Sequence, residues 1–303
     1  MPLGIPISAK IRFGNVSAGH RSFAGCPDVV GHEWGHAVTQ YCSGLVYSAE
    51  SGALNEAFSY MMGCSFTNID MNDPQWWRLG ENFYTNGSII RNMQNPLTEL
   101  LPDTYLGQYW HSLSDPSDNY GVHTNCGVPD KMFYLLAVSG DQNGIHVNGI
   151  GIENAMNVMY RANWKYWNGA TDFYRGRWGS IRAAMDLDTS KNFAYQTSYA
   201  WAAVGVRDSC SYVPGDVNGN GEARGSDITR LVAYFKGTAS IPDSCHCSYP
   251  INTYNDTWLK VTGDYNGDCR VTGGDVTYGV AYFKGFKPAI RWCPIFAPAT
   301  NMR

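Results

Sequence analysis

Long hydrophobic runs are missing from this chain. No apolar stretch approaches the roughly 20 residues needed to span a bilayer, so no membrane span is expected. Charge is also scarce: Asp, Glu, Lys and Arg make up 16% of the 303 residues, with a formal net charge of −4. No cluster of Lys or Arg occurs, which argues against a nucleic-acid partner. Low charge with 44% apolar residues excludes a disordered chain. No C-x-x-C pair occurs, which excludes a zinc ribbon or a thioredoxin-type site. The first residues, Met1-Pro2-Leu3-Gly4, have neither a basic start nor an apolar core, so they are not a signal peptide. What is present is length for about two domains and an aromatic content of 14%. There are also nine cysteines, five of them after residue 209. That density points to disulfides and to an exported, extracellular protein whose leader lies upstream of this sequence.

The periodic segments predict helices over 27–42, 51–66, 128–138, 152–166, 172–185 and 192–204. A short strand is expected near 9–13, and 68–120, with Pro74, Pro96, Pro102 and Pro116, reads as loop-rich. The fold class expected for 1–206 is mainly α with long loops and little β. Composition shifts at 207–215, and 207–303 reads as a second, small α domain.

His32-Glu33-Trp34-Gly35-His36 matches H-E-x-x-H. On a helix, positions i and i+4 share a face, so both imidazoles can reach one zinc ion, and Glu33 beside them can serve as a base toward water. Twenty residues after His36, on the next predicted helix, stands Glu56 within Ala53-Leu54-Asn55-Glu56-Ala57. Two histidines and one carboxylate leave a fourth position open, as in catalytic rather than structural zinc sites.

These segments resemble the thermolysin family of zinc endopeptidases, the gluzincins, over roughly residues 11–206. Asp28-Val29-Val30-Gly31-His32 onward resembles the family's active-site helix, and Tyr47 with Glu50–Ala57 its second metal helix. The resemblance implies that Tyr47 and His123 stabilise the developing oxyanion. It also implies that Asp118, in Asp118-Asn119-Tyr120-Gly121-Val122-His123, orients His123. Within Ile89-Ile90-Arg91-Asn92, it implies that Arg91 grips a substrate carbonyl. Ile90, Val29 and Phe23 would line an apolar pocket for a large hydrophobic residue just after the scissile bond.

Three departures from the family stand out. An Asp expected four residues after Glu56, bonded to the first zinc histidine, is Tyr60 here. The family's paired-calcium site is depleted: Asp28 and Glu81 fit it, but Thr67, Gln75 and Arg78 replace carboxylates. Arg78 is therefore expected to pair with Asp28 or Glu81, and a Cys26–Cys64 disulfide is one option nearby. Only 31 residues precede His32, so most of the family's upstream β-rich lobe is expected to be absent.

After residue 215 a loop and its helix repeat with a period of 48. Oxygen-bearing side chains stand at loop positions 1, 3, 5 and 12: Asp216, Asn218, Asn220 and Asp227, then Asp264, Asn266, Asp268 and Asp275. That spacing suits calcium. The pair resembles a dockerin, the EF-hand-like module that docks on cohesins, which implies a cohesin-like or cell-surface partner. At position 6 of the second loop the usual Gly is Cys269. Cys269–Cys293, and Cys210 with Cys245 or Cys247, are the expected staples. Two functions follow as expectations. One is a secreted zinc endopeptidase acting on protein or peptide, with a calcium-binding tail. The other is a non-catalytic zinc-containing module that works through its repeats.

Overall fold

Proline, glycine and a few polar caps mark out the helices. In a computed structural model describing residues 11–13, 18–207, 210, 212–247 and 257–298, Pro27 occupies the first position of α1 (Pro27–Tyr41), where its missing N–H costs nothing. Asp172 caps α6 (Phe173–Leu187) by accepting from the Arg175 N–H. The helix α2 (Ala49–Met71) starts two residues before the expected position, after extended Ser48, and ends at left-handed Asn72. The remaining helices are α3 (Asp118–Asn125), α4 (Gly127–Val138), α5 (Ile152–Lys165), α7 (Asn192–Ala203), α8 (Gly225–Phe235) and α9 (Gly273–Phe283). Residues 11–13 are not strand, and 9–10 lie outside the described residues.

Two compact units divide the chain, Met1–Val206 and Arg207–Arg303. In the first, α2 is central and packs on α1, α3, α4, α5 and α6. Its apolar residues point to nearly all sides, as a buried helix requires, and Leu54, Phe58 and Met61 are fully enclosed. Met132 and Phe133 of α4, Phe173 and Ile181 of α6 and Trp201 of α7 complete that core.

The α1–α2 contact is unusually close. A Cβ on Gly35 would stand 2.5 Å from the Cα of Ser59, and one on Gly31 would stand 2.9 Å from the Cα of Gly63. Partners fall in α2 as they rise in α1, so the helices are antiparallel. Bare backbone at these crossings brings the His32 face of α1 onto the Glu56 face of α2.

Strand is sparse. Among the described residues it consists of three antiparallel pairs: β1 (Arg78–Leu79) with β2 (Arg91–Asn92), β3 (Gly140–Gln142) with β4 (Ile145–Val147), and β5 (Cys245–Cys247) with β6 (Thr257–Leu259). In the first pair Leu79 faces Arg91. Two expectations fail here. Asp28 does not pair with Arg78, because its Oδ1 accepts from the Val29 N–H and its Oδ2 from the Gly80 N–H. Arg78 instead donates to Gln75 Oε1 at 2.7 Å, and among the described residues it forms no ion pair with Glu81. Nor are Cys26 and Cys64 joined: both thiols are free and buried, and Cys26 Sγ donates to the Ser22 carbonyl.

The second unit is built around Val217, Ile228, Leu231, Ile241 and Tyr265. The Tyr265 hydroxyl donates to the Gly215 carbonyl at 2.7 Å, tying the second loop to the entry of the first. Disulfides join Cys210 to Cys245 and Cys269 to Cys293.

Candidate metal centre and active site

His32 and His36, one turn apart on α1, meet Glu56 of α2. His32 Nε2 and His36 Nε2 lie 3.0 Å apart. Glu56 places Oε2 3.5 Å from His32 Nε2 and Oε1 3.4 Å from His36 Nε2. Ligands of a tetrahedral zinc, each about 2.0–2.1 Å from the ion, stand roughly 3.3 Å apart. The three donors therefore sit at the separations a shared ion requires. Two further facts fit a cation. Glu56 Oε2 is buried without a hydrogen-bond partner, a costly state for a carboxylate oxygen. Burial, aided by the adjacent His36, holds His32 well below the ordinary histidine range, so it presents the neutral, ligating imidazole.

The two histidines are held differently. His36 Nδ1 lies 2.8 Å from Asn55 Oδ1, whose own amide donates to the Leu45 carbonyl. His32 Nδ1 is buried with no hydrogen-bond partner. The ring of Tyr60 covers it instead, with centroids 4.2 Å apart. Sequence reasoning noted Tyr60 as a departure and overlooked Asn55. Its position immediately before Glu56, on the helix facing His36, was the available signal.

Glu33 follows His32 on α1 and lines a cavity of about 330 Å³ with His36, Trp34 and Arg12. A second cavity, of about 430 Å³, is lined by His36, Tyr47, Leu45 and Asn55. His36 thus borders open space on two sides.

Tyr47 and His123 flank the same point. The Tyr47 hydroxyl donates to Glu56 Oε1 and lies 3.0 Å from His123 Nε2. Burial first, then the bond to Glu56, pushes the phenol upward, so it keeps its proton. His123 Nδ1 lies 2.6 Å from Asp118 Oδ1. Burial raises the Asp118 carboxyl, but bonds from His123 and Thr124 outweigh it and hold the group below the usual carboxylate range. Asp118 Oδ2 also accepts from the His123 and Thr124 backbone N–H groups. This latch is made by an unusual turn: Asp118, Asn119, Tyr120 and Gly121 are all left-handed, with φ of 52, 48, 66 and 89°. Three of them carry side chains, a conformation held only where surroundings enforce it.

Arg91 reaches the group from β2. Its Nη2 donates to the His123 carbonyl and its Nη1 to the Ile90 carbonyl, both at 3.0 Å. Ile90 packs over Gly80, and Val29 is buried on α1. Phe23 stacks flat on Phe83 at 3.9 Å and makes no ring contact with His32, His36 or His123.

The two repeat loops share one hydrogen-bond scaffold. Asp216 Oδ1 accepts from Gly219 and Asn220 N–H, and Asp264 Oδ1 from Gly267 and Asp268 N–H. Asp227 and Asp275, at position 12, accept from the N–H at position 3 and from that of the helix cap. Asn218 and Asn266 accept from the N–H two residues on, as do Asn220 and Asp268. Asp264 is pushed up to about 7, by burial first and then by Asp275. Crowded buried carboxylates of this kind are what a divalent cation relieves.

With this geometry in place, comparison with known proteins is direct. Residues 43–206, more than half the chain, match the family described as "Thermolysin metallopeptidase, alpha-helical domain". The chain belongs to that family. It is 41% identical over 191 residues to bacillolysin of Bacillus cereus, covering 61% of this chain and 32% of that protein. Against thermolysin of Alicyclobacillus acidocaldarius it is 39% identical over 188 residues, covering 61% and 34%. The chain thus spans about a third of the length of the curated relatives it matches. Among solved structures it resembles the precursor of protealysin, a metalloproteinase from Serratia proteamaculans. That match has a TM-score of 0.51 and 28% identity, and covers 64% of this chain and 62% of that one.

Proposed function

We propose that this chain contributes the helical part of a zinc endopeptidase site, followed by a calcium-binding tail. The observation that carries the reading is the convergence of His32, His36 and Glu56 on one point, with their donor atoms within 4.8 Å of one another. Those three residues would hold the ion. Zinc, when bound, polarises the scissile carbonyl and acidifies water.

The remaining chemistry belongs to side chains of this chain. Glu33, facing the cavity beside His36, accepts the proton of the attacking water and passes it to the leaving amine. Tyr47 O–H and His123 Nε2–H donate where negative charge develops on the former carbonyl oxygen. Asp118, 2.6 Å from His123 Nδ1, fixes the ring so that Nε2 faces that oxygen. Arg91 offers a guanidinium to a carbonyl of the bound peptide. Ile90 and Val29 supply apolar surface for the residue after the scissile bond, with Phe23 as an outer wall, which favours Leu or Phe there.

In the tail, Asp216, Asn218, Asn220 and Asp227 would hold one calcium ion, and Asp264, Asn266, Asp268 and Asp275 another. The matching scaffold of the two loops supports a dockerin-like reading, with attachment to a cohesin-like or surface partner as its role. Two disulfides in this unit favour an extracellular setting.

A second reading has one observation in its favour. His32 lacks the outer acceptor that zinc histidines usually have, as a non-catalytic zinc module would tolerate. Hydrolysis of an internally quenched peptide with Leu or Phe after the cleaved bond separates the two. Wild type should cleave it, and Glu33→Ala or chelator treatment should abolish cleavage. Equal turnover by wild type and Glu33→Ala would remove the protease reading.

A further inference from the structure

We propose that Tyr60 is a positioning residue whose ring holds both His32 and Arg91. It fixes by packing the orientation that an outer carboxylate would fix by hydrogen bonding. The inference rests on the zinc reading of the triad above and deepens it.

Tyr60 lies one turn beyond Glu56 on α2, so it shares the face of that helix that meets α1. It is 5% exposed. Its ring meets the His32 imidazole at 4.2 Å with a 34° tilt. The Arg91 guanidinium carbon stands 4.9 Å from the same ring's centroid. One aromatic side chain therefore touches a metal ligand and the cation offered to substrate. Its hydroxyl, by contrast, has no hydrogen-bond partner among the described residues. The face of the ring is what contacts both neighbours.

Both neighbours are short of hydrogen-bond partners. His32 Nδ1 and Arg91 Nε are both buried and unpartnered. Arg91 bonds two backbone carbonyls and, among the described residues, forms no ion pair with a carboxylate. A zinc-ligating imidazole normally gives its second N–H to an acceptor that fixes its orientation and raises its basicity. Tyr60 can fix orientation but cannot raise basicity. His32 is thus a correctly aimed but weakened ligand, and Arg91 is a cation held against an aromatic surface, with buried Asp130 and Glu56 acting on its charge.

Three variants of the full chain test this. Zinc affinity is read by competition with a chromophoric chelator, and KM and kcat on the quenched peptide, with a melting curve for each variant. Tyr60→Phe keeps the ring and should match wild type in zinc affinity and KM. Tyr60→Ala removes it and should weaken zinc binding roughly tenfold and raise KM more than it lowers kcat. Tyr60→Asp supplies the missing acceptor and should tighten zinc binding roughly 10–100-fold. Tyr60→Phe as damaging as Tyr60→Ala would overturn the proposal, because the hydroxyl would then be the working group. Tyr60→Asp folding without tighter zinc would overturn it equally. If wild type retains no zinc but Tyr60→Asp does, the protease reading of the natural chain fails and the inference stands. If neither retains zinc, both fail.

Discussion

Gly63 of α2 lies against the carbonyl of Asp28 in α1, so closely that a Cβ at Gly63 would stand 2.2 Å from that oxygen. The convergence of His32 and His36 with Glu56 depends on this approach, because the histidines come from α1 and Glu56 from α2. Gly63→Ala must push the helices apart. Overpacking of this kind typically costs about 1–3 kcal/mol. The expected outcome is a lower melting temperature together with weaker zinc retention. Gly25→Ala, where a Cβ meets nothing within 4 Å, should change neither. Scanning calorimetry with and without zinc checks both.

His123 is expected to act through Nε2. His123→Ala should lower kcat roughly 10²–10³-fold, the usual loss for one oxyanion donor, with little change in KM. Asp118→Asn should move the same way by less. It leaves the ring in place but removes the carboxylate that holds His123 Nδ1 at 2.6 Å. Steady-state kinetics on the quenched peptide measure both.

Much of the first unit was legible in the sequence because its signals are local. Pro27, Asp172 and the apolar periodicity mark most helix ends within a residue or two, but α2 runs on to Met71, past the expected end at 66. The His32–His36 pairing follows from one turn of helix. Other features depend on distant backbone. The second helix, expected from 51, starts at Ala49 instead, after extended Ser48. The Arg78–Asp28 alternative fails because the Asp28 carboxylate accepts instead from the Gly80 N–H, 52 residues away. The left-handed run from Asp118 to Gly121 has one glycine; Asp118 and Asn119 tolerate that conformation, but Tyr120 gives no local sign of it. The ring contacts of Tyr60 arise only when β2 brings Arg91 across from a loop-rich stretch.

The tail's loops differ in charge. Asp264, Asp268 and Asp275 give the second loop three carboxylates, where Asp216 and Asp227 give the first two. Calcium should therefore fill the second loop first. Titration calorimetry of Asp264→Ala should lose the tighter phase, and that of Asp216→Ala the weaker one. Loss of the tighter phase in Asp216→Ala would reverse the order.

Cys269 sits at φ 64° where the first loop has Gly221 at φ 89°, and it is tied to Cys293. A side chain in this left-handed conformation costs about 1–2 kcal/mol, and the disulfide holds it there. Reduction should weaken calcium binding in the second loop roughly tenfold. The double variant Cys269→Gly with Cys293→Ser should bind as the oxidised protein does. Calorimetry under reducing and oxidising conditions decides this.

On the proposed reading, His32, His36 and Glu56 hold one zinc ion together. Zinc content after dialysis of the full chain, measured by elemental mass spectrometry, tests it most directly. Wild type should retain one equivalent, and His36→Ala and Glu56→Ala should each retain almost none while still folding. Retention by those variants equal to that of wild type would contradict the account.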